Sequence, residues 1–270
     1  MMSRIILSEM ITGVLLILVS CYINPANSQT PKVFIPAGSF HSVLPEVKGE
    51  PIQVDPFFMD ETAVTNEQYV KFLRSNPDWR RSEIPPIFTY DGYLRNWNSD
   101  LEPNYESVGK DRPVTRVSWY AASAYCSAQG GRLPTLNEWE YSAQLLGIDD
   151  VAEMNRFSSK LISWYSGIDV NNLPEVGSTG IKTTAGVKDQ FGLIMEWVAD
   201  FKPIIADEIS LDCGTVGRMQ TLNSIYSYAA SIRYITRMSF NPKITTGMLG
   251  FRCAYDEPDH SDENKSEVTL

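Results

Sequence analysis

Few residues in this chain could hold a soft or imidazole-bound metal. There are two histidines, His41 and His260, and four cysteines, Cys21, Cys126, Cys213 and Cys253. Multi-histidine iron or zinc sites need two or three imidazoles, and that number of ligands does not exist here. No CxxC pair occurs, so neither a zinc knuckle nor a dithiol redox motif is encoded. In an oxidising compartment, loss or acylation of Cys21 leaves three thiols, which predicts one disulfide and one spare cysteine.

The bulk composition narrows the class further. The 270 residues are 43% hydrophobic and 21% charged, which describes a globular chain able to bury a large core. Acidic residues outnumber basic ones by 33 to 23, for a net charge of −10, and no basic stripe is visible. Nucleic acid is therefore excluded as an expected partner.

Residues 1–28 read as an export signal, not as part of the fold. Arg4 precedes an apolar run from Ile11 to Val19, too short to span a bilayer but suited to a secretory core. Two exits are open. Leu18-Val19-Ser20-Cys21 has the form of a bacterial lipobox, in which Cys21 is lipidated. Ala26-Asn27-Ser28 suits ordinary cleavage before Gln29. The absence of a polar spacer before Cys21 favours the lipobox, and with it a membrane anchor facing the periplasm or the cell surface.

From Val33 short strands alternate with turns. Thr65 and Gln68 predict a capping box, followed by the apolar face Tyr69, Phe72 and Leu73. Residues 74–112 read as a long aromatic and proline-dotted excursion. A second helix is expected from about Ser118, carrying Tyr125 and Cys126. A third follows Pro134, with Thr135 and Glu138 as a further capping box over Trp139, Ala143 and Leu146. From Ile148 onward helical periodicity fades into an irregular α+β pattern. Residues 256–270 hold six acidic residues and one lysine, and are expected to form a solvated tail in which His260 is inert.

Four segments stand in a telling order: IPAGSF (35–40) with ETAVTNEQYVKFL (61–73); RPVTRVSWYAASAYC (112–126) with GGRLPTLNEWEYSA (130–143); EWVAD (196–200); and GFRCA (250–254). Together they resemble the formylglycine-generating enzyme family, also called the sulfatase-modifying factor domain, over about residues 33–255. The resemblance implies one α+β domain, 29–255, with an irregular C-type-lectin-like fold and little regular secondary structure. It also implies a disulfide between Cys126 and Cys253. Members of the family differ in function. Some oxidise a sulfatase cysteine to formylglycine with copper on two thiolates, others use iron on sulfur-containing small molecules, and some envelope lipoproteins are not known for catalysis. Function therefore has to be argued from the site.

Counted back from Gly250, the family's two copper cysteines fall on Ser224 and Ala229, and its glycine turn on Met219-Gln220-Thr221. A hydroxyl and a methyl do not replace thiolates for Cu(I). The iron relatives take histidines from an additional helical domain that this sequence is not expected to have. The family's structural calcium segment reads Gly192-Leu193-Ile194-Met195-Glu196-Trp197 here. Its asparagine has become Leu193, so Glu196 is expected either to serve a weakened calcium site or to pair with a backbone amide or an arginine. Trp119, Trp139, Trp164 and Trp197 read as packing residues, and Arg132, Arg237 and Arg252 as loop anchors. The run from Asn223 to Tyr234 would line the family's groove, with Tyr226, Tyr228, Arg233, Tyr234 and Arg237 as candidate ligand contacts. The expected function is a non-catalytic binding or assembly factor of the envelope, acting on an envelope or periplasmic protein. The alternatives are a metal-dependent oxidoreductase or maturation factor, and a carbohydrate- or peptide-binding module.

Overall fold

A computed structural model describes residues 30–41, 50–106, 108–148, 150–200 and 241–257. Its sheets are small, and they tie the two ends of the domain together. Strand β1 (Lys32–Ile35) pairs antiparallel with β4 (Phe57–Asp60), which pairs on its other edge with β9 (Ala254–Asp256). Phe57 and Met59 point from β4 into one core cluster, while Phe58 turns to the other face, against the main core and against Phe34, with ring centroids 5.3 Å apart. That alternation is the period of two expected of a half-buried strand. A second ribbon joins β2 (Gly38–Phe40) to β3 (Ile52–Val54).

Helix α1 (Asn66–Ser75) starts at the capping box of Thr65 and Gln68, and α3 (Leu136–Gln144) at that of Thr135 and Glu138. Ser118 caps α2 (Trp119–Ala128) by accepting the Ala121 N–H. These side chains satisfy amides that have no partner inside the first helical turn. The main core lies between α1, α2 and the chain around Phe251. Tyr69 stacks on Tyr125 at 5.7 Å, and Tyr125 meets Phe251 edge-on at 5.2 Å. Beneath them the Cys126–Cys253 disulfide, fully buried, ties α2 to the segment entering β9. Gly131 lets the turn after α2 lie against this strand, since a Cβ there would stand 2.6 Å from the Ala254 carbonyl oxygen.

Three stretches differ from the sequence reading. The 74–112 excursion holds a turn of 3-10 helix (Pro77–Trp79) and a hairpin of β5 (Trp97–Ser99) with β6 (Glu102–Pro103). It also contributes Tyr93, Leu94 and Trp97 to the main core, which is why a long loop can hold its place. Beyond Ile148 the chain forms the longest described helix, α4 (Val151–Gly167), capped by Asp150. Its serines and asparagine have modest helix propensity, so packing decides the outcome: Leu161 is buried against Phe191 and Trp139. At the other end Asp256, read as part of the tail, closes β9 and bonds to Arg132. The motifs EWVAD and GFRCA meet as a parallel pair, β7 (Met195–Glu196) with β8 (Leu249–Gly250). No described helix is long and apolar enough to cross a membrane.

Candidate functional site

The pairing of β7 with β8 brings Glu196 to Arg252. Both side chains are fully buried. Arg252 donates from Nε and Nη2 to the two Glu196 oxygens at 2.9 and 2.8 Å. Its remaining N–H groups go to the carbonyls of Asp60 (3.2 Å), Glu61 (3.1 Å) and Lys188 (2.9 Å). All five guanidinium donors are thus used. Trp139 Nε1 adds a third bond to the carboxylate at 2.7 Å.

Of the two roles expected for Glu196, this arrangement is the pairing with an arginine. The carboxylate already carries a buried guanidinium as counter-ion, and a cation would have to displace it. Calcium prefers six to eight oxygens, and among the described residues no three acidic, His or Cys side chains converge. Glu196 and Arg252 instead form a knot that joins five segments of the chain, at Asp60–Glu61, Trp139, Lys188, Glu196 and Arg252.

Asp60 lies beside the knot and was not picked out from the sequence. The signal available was an acid ending the apolar strand FFMD, on the face it shares with Phe58 and hence toward the main core. Its carboxylate accepts the Cys253 N–H at 2.9 Å and the Tyr255 hydroxyl at 3.2 Å. Burial pushes this carboxyl from 3.8 up to about 7, against the pull of those donors and of Arg252 and Lys32. The same burial raises the Tyr255 and Tyr125 hydroxyls far above the usual phenol range. Because the folded protein binds this proton more tightly than the unfolded chain, stability is greatest below pH 4 for this group. It declines as pH rises through 7. Asp60→Asn keeps the shape and removes the charge. The difference in unfolding free energy between the two proteins should change across pH 4–7 by on the order of a few kcal/mol, flattening above that window. Denaturant titrations at a series of pH values measure it; parallel profiles would show that Asp60 does not titrate there.

Trp119, at the start of α2, marks the mouth of the region that the sequence points to. Its Nε1 donates to the Val198 carbonyl at 2.7 Å, and its backbone N–H to that of Pro242 at 2.9 Å. The chain therefore leaves the described frame after Asp200 and re-enters at Asn241 on either side of one tryptophan. From there a row of half-buried rings runs outward: Trp119 to Tyr120 (5.4 Å), Tyr120 to Phe88 (5.4 Å), and Phe88 to Trp79 (5.6 Å). Of the excursion's aromatic residues, Tyr93 and Trp97 are core, while Tyr90 and Tyr105 are exposed. The residues expected to decide the chemistry lie outside the described residues. These are Ser224 and Ala229, the groove residues Tyr226, Tyr228, Arg233, Tyr234 and Arg237, and the cysteines Cys21 and Cys213.

A second concave feature was not read from the sequence. A cavity of about 580 Å³ opens between one face of α4 and the loop after it, lined by Lys160, Ser163, Trp164, Gly167, Asp169 and Asn172, among others.

The sulfatase-modifying factor enzyme 1-like domain matches residues 22–257 of the chain. The formylglycine-generating enzyme of Bos taurus is 27% identical over 290 residues, covering 84% of this chain and 75% of the bovine protein. The inactive C-alpha-formylglycine-generating enzyme 2 of Mus musculus is 26% identical over 237 residues, covering 75% of this chain and 76% of the mouse protein. Among solved structures, PvdO from Pseudomonas aeruginosa aligns with a TM-score of 0.49 and 19% identity, over 84% of this chain and 94% of PvdO.

Proposed function

The chain belongs to the sulfatase-modifying factor enzyme 1-like family, and on that premise we propose that it is a non-catalytic binding or assembly factor of the cell envelope. The observation that carries this reading is the use of its cysteines. Of four, Cys126 and Cys253 are bonded to each other, and the positions matching the family's copper cysteines hold Ser224 and Ala229. Cys21, in the export signal, is the anchor carrying lipid in this proposal, and Cys213 is one soft ligand where the copper chemistry needs two. The mouse relative named as inactive gives the family a precedent for a retained frame without that activity. The knot of Arg252, Glu196 and Trp139 supports a scaffold role, since it holds the described frame fixed from within. The partner is an envelope or periplasmic protein.

The test is direct. Purified protein loaded with Cu(I) and given a sulfatase-derived cysteine peptide should leave the peptide mass unchanged, because thiol-to-aldehyde conversion is visible by mass spectrometry. A double variant, Ser224→Cys with Ala229→Cys, should stay near background, since Met219-Gln220-Thr221 still replaces the glycine turn. Conversion by the unaltered protein above a metal-only control would overturn the proposal and promote an enzymatic role.

A further inference from the structure

We infer that the cavity between α4 and the 168–174 loop is a binding site for a neutral saccharide. Its first mark is Gly167, in the last turn of α4. The other described glycines have a visible reason to be glycine. Most have positive φ, and Gly38, Gly131, Gly247 and Gly250 sit where a Cβ would strike a neighbouring atom. Gly167 has neither: its φ is not in the left-handed region, and a Cβ there would meet nothing within 4 Å. At the last position of the helix a glycine costs little, and with no side chain it leaves the backbone open to close approach by an occupant of the cavity. Gly167 faces the cavity.

The second mark is Trp164, one turn earlier on the same face. The residue is half-buried, yet its Nε1 is buried and has no hydrogen-bond partner among the described residues. What the indole shows to the cavity is therefore its carbon surface. A ring presented in this way is a stacking platform for an apolar face, not a donor. Around it stand short polar groups of both kinds. Lys160 and Ser163 come from α4 at helical spacing and supply donors. Asn172 has its Oδ1 occupied by Arg112 Nη1 at 2.7 Å, which leaves its amide N–H groups to donate. Asp169 accepts the Asn171 N–H on Oδ1 at 3.0 Å, and its second oxygen is left to accept.

Lys160 and Asp169 cancel in charge, which argues against an ionic ligand. A pyranose ring has the complementary chemistry: a C–H face for the indole, and hydroxyls that both donate and accept at its edge. The cavity volume lies within the range of about 300–1,000 Å³ usual for small-molecule sites. The walls are set beforehand. Leu161 anchors α4 to its core, and Leu173 anchors the loop among Ala63, Leu193 and Ile194. The inference does not depend on whether the 201–240 segment is catalytic.

The probe is a panel of neutral oligosaccharides, screened on an array and followed by titration of intrinsic tryptophan fluorescence with the full chain. At least one neutral glycan should bind, and Trp164→Ala should weaken it about tenfold or more. Trp164→Ala also removes packing, so Gly167→Leu is the decisive variant. Its side chain enters open space, so it should melt like the parent protein while losing glycan binding. The inference is overturned if no neutral glycan binds at about 10 mM, or if Gly167→Leu binds as well as the parent. A preference for free amino acids or charged ligands over neutral glycans also overturns it.

Discussion

Glu196→Ala is expected to destabilise the protein by about 3–5 kcal/mol. Removing the carboxylate leaves the Arg252 guanidinium in the core with no counter-ion, and leaves Trp139 Nε1 without its acceptor. The guanidinium holds three loop carbonyls from Asp60, Glu61 and Lys188, so it does not swing out to water without releasing them. A denaturant series at pH 7 should show the midpoint falling with little change in slope. Removing both partners, as Glu196→Leu with Arg252→Met, should cost less than the sum of the single changes, because no charge is then stranded. Calcium or a chelator should leave the midpoint of the parent protein unchanged. A Glu196→Ala protein within about 1 kcal/mol of the parent would show that the pair does not hold the frame.

Loss of the disulfide should be of similar size. Cys126 and Cys253 are separated by 127 positions, and closing a loop of that length restricts the unfolded chain by about 5 kcal/mol. Both residues are fully buried in the aromatic core, so Cys126→Ala with Cys253→Ala also leaves a small defect in packing. The double variant should unfold at a clearly lower denaturant concentration than the oxidised parent. Reducing agent should move the parent toward the variant and leave the variant where it is. If the double variant lost less than about 1 kcal/mol, the bond would be a bystander in a frame held by packing alone.

Both predictions rest on residues that the sequence brings to attention through spaced motifs, and this explains what was legible in it. Capping boxes at Thr65 and Thr135 are local signals, because the groups that satisfy one another lie three residues apart. The starts of these two helices were therefore readable, though not their ends: α3 stops at Gln144, short of Leu146. Asp60, the fate of Glu196 and the cavity under Trp164 depend on contacts between segments far apart in sequence, 56 residues for Glu196 with Arg252 and 193 for Asp60 with Cys253, or on a void, and no local pattern records these. Helix α4 is an intermediate case. Asp150 three residues before Glu153 is a start signal, and Met154, Phe157, Leu161 and Trp164 follow a helical period, but a serine-rich polar face hides it. The excursion at 74–112 is largely a loop, and what its composition does not tell is which rings turn inward: Tyr93 and Trp97 are buried, the former bonded to the Tyr69 hydroxyl at 2.7 Å.

The grip of Trp119 on Val198 and Pro242 has a consequence for how such a chain changes over time. One residue holds the chain at two points forty-four residues apart in sequence, through its indole N–H on the Val198 carbonyl and its backbone N–H on the Pro242 carbonyl. The distance between those two points is therefore set by Trp119, and any segment that joins Asp200 to Asn241 has to span it. A catalytic relative's segment grafted between Asp200 and Asn241 has the same two backbone carbonyls to meet at its ends.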